Sequence, residues 1–552
     1  MSRLIKILLI CSLILPAILS LARPGFFSMY DDMQVIRLEQ MDECIKDGQI
    51  PCRWVPQLGY GYGYPLFMYY APLPYYSMEA IHSLGFSFID SVKIGFGLSV
   101  LLSGAFFYLY LRYLIPHEAS IFATLVYVYA PFRAADMYVR GAMGELWGLF
   151  ALPFVLWGFE RLLKKSDKIS VGIFGLSIGI YLITHNLTVL MTLPLILSWI
   201  LLRILFLRKK APVKMIFLGG LVGISLSSFY WLPLIWERNL VWLETLTQGY
   251  FNYLAHFISL KQIFVSVIWG YGPSIAGPMD EAMLGVGPIG LVLAFLGTIV
   301  GINSKKKEVK LISIFFAFFF LVGAFLSHGR SAYIWEKLKF IQYLQFPWRF
   351  IFVATFASAV LGGIYVSKFK SKVIWSLIFV LIIGIYMIYG NYFKPKDWFY
   401  LTDEQKLSGE LLERQLTASI YDYLPKSAEK APTSKAPDTL IIQEGDVSVT
   451  YFEKGTNWYK VQAFAQGDAS VALPSYDFPD WSVKINGEIQ QTIPTGELGL
   501  VGLKIAKGEV SIEAVLTNSL SRKIGDLLSI IGIVSLISLL GYEKVNSKVF
   551  NG

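Results

Sequence analysis

Residues 24–76 read PGFFSMYDDMQVIRLEQMDECIKDGQIPCRWVPQLGYGYGYPLFMYYAPLPYY. The stretch sits between the first apolar run of the chain and the second. It places an acidic pair, Asp31-Asp32, just beyond a segment apolar enough to enter a bilayer. Val35, Leu38, Met41 and Ile45 follow at helical spacing, which predicts a short amphipathic helix with one buried stripe. A loop dense in Gly, Pro, Tyr and Trp comes next. A carboxylate at this depth is close to lipid head groups yet shielded enough to act as a base.

Composition agrees with a membrane reading. The chain has 552 residues, of which 55% are hydrophobic and 16% charged, with a mean hydropathy of +0.55. Soluble domains carry about a quarter charged residues, so most of this chain must face lipid or a buried bundle. The net charge is +9. Its positive residues fall between apolar runs, which is the positive-inside pattern and not a nucleic-acid-binding surface. No nucleic acid is therefore expected as a partner.

Apolar stretches of ~17–25 residues number roughly twelve. They centre on 4–22, 90–111, 118–132, 146–162, 169–184, 187–205, 215–235, 284–302, 311–327, 348–366, 373–391 and 524–541. The run Leu4 to Ala22 resembles a signal peptide, but its length favours a retained helix. Arg112, the 161–168 and 203–214 basic runs, Lys305 to Lys310 and Lys368 to Lys372 fall in alternate loops, which predicts both termini on the cytoplasmic side. The opposite loops, 23–89, 133–145, 236–283, 328–347 and 392–522, then face outward. The expected domains are a helical core over 1–391, an extracytoplasmic segment over 392–522, and a last helix with a cytoplasmic tail over 523–552.

From about residue 440 to 516 the pattern turns to strand-like alternation. Ser448 to Tyr451, Trp458 to Phe464, Ser470 to Leu473, Trp481 to Ile485, Leu500 to Ile505 and Val510 to Val515 carry it. Asn486-Gly487 is a two-residue hairpin signal. The expected fold is thus mainly α, a polytopic membrane helical bundle with a small extracytoplasmic β-sandwich. That β-domain serves either as a structural lid or as a surface for acceptor recognition.

Several constellations could carry chemistry. One of Asp31 and Asp32 could cap the following helix while the other faces a cavity. Asp32 is favoured as the base, and as a ligand for a divalent metal such as Mg or Mn. In the next loop Arg53, Trp54 and Tyr64 could bind sugar or prenyl chains, or Tyr and Trp could simply populate the interface. In PFRAADMYVRGAMGE (131–145), Arg133, Asp136, Arg140 and Glu145 are charges beside apolar runs, which are costly unless paired or functional. Arg140 and Arg349 suit bidentate phosphate binding. Gln345 lies beside Arg349, and Arg330 flanks the same outer loop. His185, next to Asn186, is either a ligand or a satisfied polar group. Glu237-Arg238 could be an interfacial pair. Cys11 should be inert. Cys44 and Cys52 could form a disulfide or remain free thiols. No phosphate-cradling loop, serine elbow or HExxH zinc motif is present.

MYDDMQVIR, with the aromatic loop after it, resembles the GT-C class of membrane glycosyltransferases. It is more closely similar to the prokaryotic family labelled pyruvoyl-tetrahydropterin-synthase-related. QFPWRF and the stretch YDFPDWSVKINGEIQ resemble the YfhO-like relatives of that family. The resemblance implies a sugar donor linked to a polyprenyl phosphate, and a glycan, lipid or protein acceptor. It carries an acidic catalytic role onto Asp31 and Asp32 only. The expected activity is sugar transfer on the outer membrane face. The rival is a non-enzymatic translocase or export and assembly factor for lipid-linked glycans.

Overall fold

The computed structural model describes residues 3–277, 280, 282–418 and 420–549. Residues 1–2 and the end of the expected tail, 550–552, lie outside the described residues. Among the described residues, seven helices are long and apolar enough to cross a bilayer: Phe88–Leu111, Met143–Lys165, Asn186–Lys210, Lys307–Ser327, Pro347–Val366, Ser371–Tyr389 and Leu520–Gly541. Val213–Leu226 and Ser228–Trp236 meet at 72° and make an eighth if they form one broken span.

All twelve expected stretches are helical over most of their length, but four are short. Arg3–Ile14 and His117–Val128 have 12 residues, Lys168–Leu182 has 15 and Gly287–Ile302 has 16. At about 1.5 Å per residue they fall short of a hydrocarbon core of about 30 Å. Length therefore does not carry the count of twelve, nor the even number that placed both termini on one side.

The broken pair shows how the bundle tolerates a kink. Ser227 and Ser228 hydroxyls donate back to Gly223 O and Ile224 O at 3.0 and 2.8 Å. The freed Phe229 N–H donates to Ser529 Oγ of the last helix at 2.8 Å. A neighbouring helix thus satisfies backbone that lipid could not. Pro347–Val366 runs through the centre of the molecule, with 94% of its apolar window buried.

Residues 23–89 do not drape over the bundle. Phe26–Phe27 pair antiparallel with Trp398–Phe399. The helix Gln34–Lys46 buries Val35, Leu38 and Met41 completely, as its stripe requires. Neither early aspartate caps it: the cap position is Met33, which makes no side-chain bond there. Cys44 and Cys52 are joined as a disulfide. The turn between them holds the C-terminal β-structure, because Asp47 accepts from Thr456 N at 2.7 Å and from Trp458 Nε1 at 3.0 Å.

That β-structure comprises two antiparallel sheets around one apolar core. One orders Ile441–Glu444, Ala469–Tyr476, Leu500–Ile505 and Ile493–Thr495. The other orders Val447–Lys454, Trp458–Ala465, Gly508–Leu516, Trp481–Ile485 and Glu488–Gln490. Asn486 and Gly487 form the turn between the last two, both at positive φ (50° and 85°). Ile441–Glu444 and Ile493–Thr495 were not foreseen. Both are short and mostly exposed, so they lack a buried alternating pattern.

Candidate active site

The site is built on one irregular turn. After Pro131–Ala135 the chain widens into a π-turn over Asp136–Arg140 and ends at Gly141 with φ +66°. A side chain at Gly141 would collide with Met29 Sδ, 2.3 Å from its Cβ position, so glycine is required there. The turn leaves two carbonyls for the segment 23–89. Val139 O accepts from Tyr30 N at 3.0 Å, and Arg140 O accepts from Asp31 N at 2.8 Å. These two bonds set Asp31 beside Arg140.

A cavity of about 580 Å³ opens there, within the range of small-molecule sites. Asp31, Arg140, Glu145, His185 and Arg349 all line it. Glu145 Oε2 accepts from Arg140 Nη1 at 2.8 Å and from Arg349 Nε at 3.3 Å. Arg140 also pairs with Asp136. Burial, reinforced by the Glu145 charge, pushes the Asp136 carboxyl well above its usual range. Arg140 lies over the Trp348 ring at 4.5 Å, and Arg349 over Phe346 at 4.8 Å. Arg349 Nη1 also donates to Leu344 O and Gln345 Oε1 at 2.6 and 3.0 Å. Among the described residues, Nη2 of both arginines has no hydrogen-bond partner. His185 bonds Thr188 Oγ1 at 2.9 Å. Burial lowers its imidazole to about 3, so it is neutral at physiological pH.

The two early aspartates part company. Asp31 Oδ2 accepts from Arg37 Nη1 and from Gln34 Nε2, each at 2.9 Å, at the cavity wall. Asp32 accepts from Lys406 Nζ at 2.6 Å and is not among the lining residues. Arg37, Tyr30, Tyr250, Trp348 and Asp422 also line the cavity and were not foreseen, and Tyr70 brings a residue of the aromatic loop to it. Asp422 and Lys406 come from the polar segment after residue 392, which has no periodicity to reveal them.

Three expected binding residues lie elsewhere. Arg53 pairs with Asp526 of the last helix at 2.6 Å. Trp54 is buried against Phe478 and Trp481, with ring centroids at 5.6 and 6.3 Å. Tyr64 is buried and accepts from Tyr423 N at 2.9 Å. Arg133 is 1% exposed, donates to Ser103 Oγ at 2.8 Å and also stays off the cavity. Glu237 pairs with Arg522 at 2.7 Å instead of its neighbour Arg238.

The expectation of a divalent metal on Asp32 meets an unsuitable donor set. Among the described residues no three His, Cys, Asp or Glu side chains converge as a cation site. The Lys406 ammonium already occupies the Asp32 carboxylate and would repel a cation.

No family model matches the chain. An uncharacterized protein of Lactococcus lactis subsp. cremoris (strain MG1363) is 25% identical over 224 residues, 38% of this chain. The match covers only 34% of that relative's length. Among solved structures the fold is similar to arabinofuranosyltransferase AftD from Mycobacteria, with TM-score 0.47 and 12% identity over 73% of this chain and 28% of that one. It is similar to ArnT from Cupriavidus metallidurans bound to undecaprenyl phosphate, with TM-score 0.43 and 12% identity over 70% of this chain and 64% of that one. The archaeal oligosaccharyltransferase AglB from Archaeoglobus fulgidus gives TM-score 0.43 and 13% identity over 76% of this chain and 55% of that one. These are partial likenesses of fold.

Proposed function

We propose that the chain is a membrane glycosyltransferase that moves a sugar from a polyprenyl-phosphate donor to an acceptor hydroxyl on the outer membrane face. The observation that carries this reading is the meeting of one carboxylate, Asp31, with a guanidinium pair, Arg140 and Arg349, in a single cavity. Basic runs in alternate loops support the outer-face placement.

The chemistry divides between the two ends of the site. The free Nη2 groups of Arg140 and Arg349 hold the donor phosphate and stabilise the charge that grows on it as its bond to sugar breaks. Glu145 neutralises one of the two arginine charges. Burial shifts the Asp136 carboxyl upward, so it offsets less of the remaining charge than an ordinary carboxylate would, which suits a phosphodiester that carries one negative charge. Asp31 takes the acceptor proton on Oδ1, the oxygen that Arg37 and Gln34 leave open. The acceptor oxygen then attacks the anomeric carbon, the carbon–oxygen bond to phosphate breaks, and the electron pair leaves on the polyprenyl phosphate. Configuration at the sugar carbon inverts. His185 stays neutral and adds no charge to the phosphate pocket.

The geometry favours Asp31 over Asp32 as the base, because Lys406 holds Asp32 outside the cavity. The purified protein should release undecaprenyl phosphate from at least one member of a panel of undecaprenyl-phosphate-linked hexoses, read by mass spectrometry. No release from any member, with or without added acceptor sugars, sinks the enzymatic reading.

A further inference from the structure

Gln34 is completely buried, and both ends of its amide are hydrogen-bonded. Its Nε2 donates to Asp31 Oδ2 at 2.9 Å, to Asp31 O at 3.2 Å and to Gly141 O at 3.0 Å. Its Oε1 accepts from the Tyr75 hydroxyl at 2.7 Å. Tyr75 is buried as well, and it faces Arg37 Nη1 at 3.4 Å. A guanidinium has only protons to offer. The Tyr75 oxygen therefore receives from Arg37, and its hydroxyl donates to Gln34 Oε1, with the neighbouring Tyr70 hydroxyl as a second partner. The three atoms facing Nε2, Asp31 Oδ2, Asp31 O and Gly141 O, are all acceptors, so the amino group is the end of the amide that meets them.

Two consequences follow from the bond directions. Asp31 Oδ2 is loaded by two donors, Gln34 and Arg37, while Oδ1 is left for a ligand. The same amide also bridges Asp31 to Gly141, the residue that ends the turn bearing Arg140. We infer that Gln34, oriented by Tyr75, is a positioning residue that selects the working oxygen of Asp31 and fixes its spacing from the phosphate-holding Arg140. This rests on the reading of Asp31 as the base. Gln34 acts through Asp31 and touches no reacting atom. Its part is to remove rotational freedom from the carboxylate before the acceptor arrives.

The test pairs a spectrum with kinetics, using the full chain in detergent. In the infrared, the gap between the two carboxylate stretches widens as the two oxygens become unequal. The wild-type minus Asp31→Asn difference spectrum isolates the Asp31 bands. Gln34→Met, with its own Asp31→Asn partner, should narrow that gap, and Tyr75→Phe should narrow it less. On the hexose donor that wild type cleaves best, Gln34→Met should lower kcat by on the order of tenfold with KM unchanged. A loss of packing alone would lower the yield of folded protein and leave the gap and the kcat-to-KM split unmoved. An unchanged gap in both variants overturns the inference. If Asp31→Asn retains full release while the gap narrows as expected, the orientation of Asp31 stands and its role as base fails.

Discussion

Arg140 and Arg349 share one carboxylate oxygen. Glu145 Oε2 accepts from Arg140 Nη1 at 2.8 Å and from Arg349 Nε at 3.3 Å, across 204 residues of sequence. The Glu145 side chain is 1% exposed, and those of the arginines 16% and 9%. Two guanidinium groups this close repel each other unless a carboxylate lies between them. Glu145→Ala leaves both cations without that partner and should destabilise the protein by about 3–5 kcal/mol. Thermal unfolding in detergent would show it as a lower Tm. An unchanged Tm would mean that the pair is held by other means.

Removing either arginine should instead weaken the donor site. Charge-assisted hydrogen bonds contribute about 1.5–3 kcal/mol each. Arg140→Gln and Arg349→Gln should each weaken undecaprenyl phosphate binding by roughly tenfold or more, measured by native mass spectrometry or calorimetry. Equal binding by wild type and both variants would move the phosphate elsewhere.

A pH dependence arises on the helix Gln34–Lys46. Glu39 and Glu43 share the Gln40 amide at 2.8 Å each, and the Gln57 amide at 3.1 and 2.7 Å. Burial, then the Glu43 charge, raises the Glu39 carboxyl from 4.5 to about 8. A raised acid binds its proton more tightly when folded. Its stabilisation is complete below pH 4.5 and is lost as pH rises through about 8. Stability should therefore decline across that window, and Glu39→Gln should flatten the decline. A Tm series from pH 5 to about 9 checks the sign, since a rise in Tm over the same range would contradict it.

Arg53 is expected to matter for assembly and not for the donor. Its guanidinium ties the aromatic loop to Asp526 and Asn518 at the start of the last helix. Arg53→Met should speed tryptic cleavage between the β-structure and the bundle while leaving undecaprenyl phosphate affinity within about twofold, since the residue lies outside the cavity. Lost affinity with unchanged proteolysis would return Arg53 to the binding surface.

Much of the site was legible as charge out of place. Arg140, Glu145 and Arg349 stand beside apolar runs, where a charge is costly unless it has work to do. The choice between Asp31 and Asp32 was not legible. It depends on backbone bonds to Val139 and Arg140, and on a lysine 374 residues away. Periodicity reports which face of an element is buried, but it says nothing about partners across the fold. The aromatic loop left binding and interface use open for a related reason, and its Tyr70 does line the cavity. Tyr and Trp suit an interface and a sugar equally well, yet Trp54, Tyr62, Tyr64 and Tyr69 are all buried against protein. Gly63 allows this, since a Cβ there would lie 2.3 Å from Trp54 Nε1. The strands around Asn486-Gly487 were readable because alternation and turn chemistry agreed, whereas the short apolar helices read as full spans because hydropathy does not report where a helix stops.

The central claim concerns one carboxylate out of two neighbours. The most direct measurement is release of undecaprenyl phosphate from the cleaved hexose donor by Asp31→Asn and Asp32→Asn, each made singly and matched for folded protein. Loss of a positioned base costs about 10²–10⁴ in rate. Asp31→Asn should fall by that factor and Asp32→Asn should stay within about threefold of wild type. Normal release by Asp31→Asn, or a collapse confined to Asp32→Asn, would contradict the account.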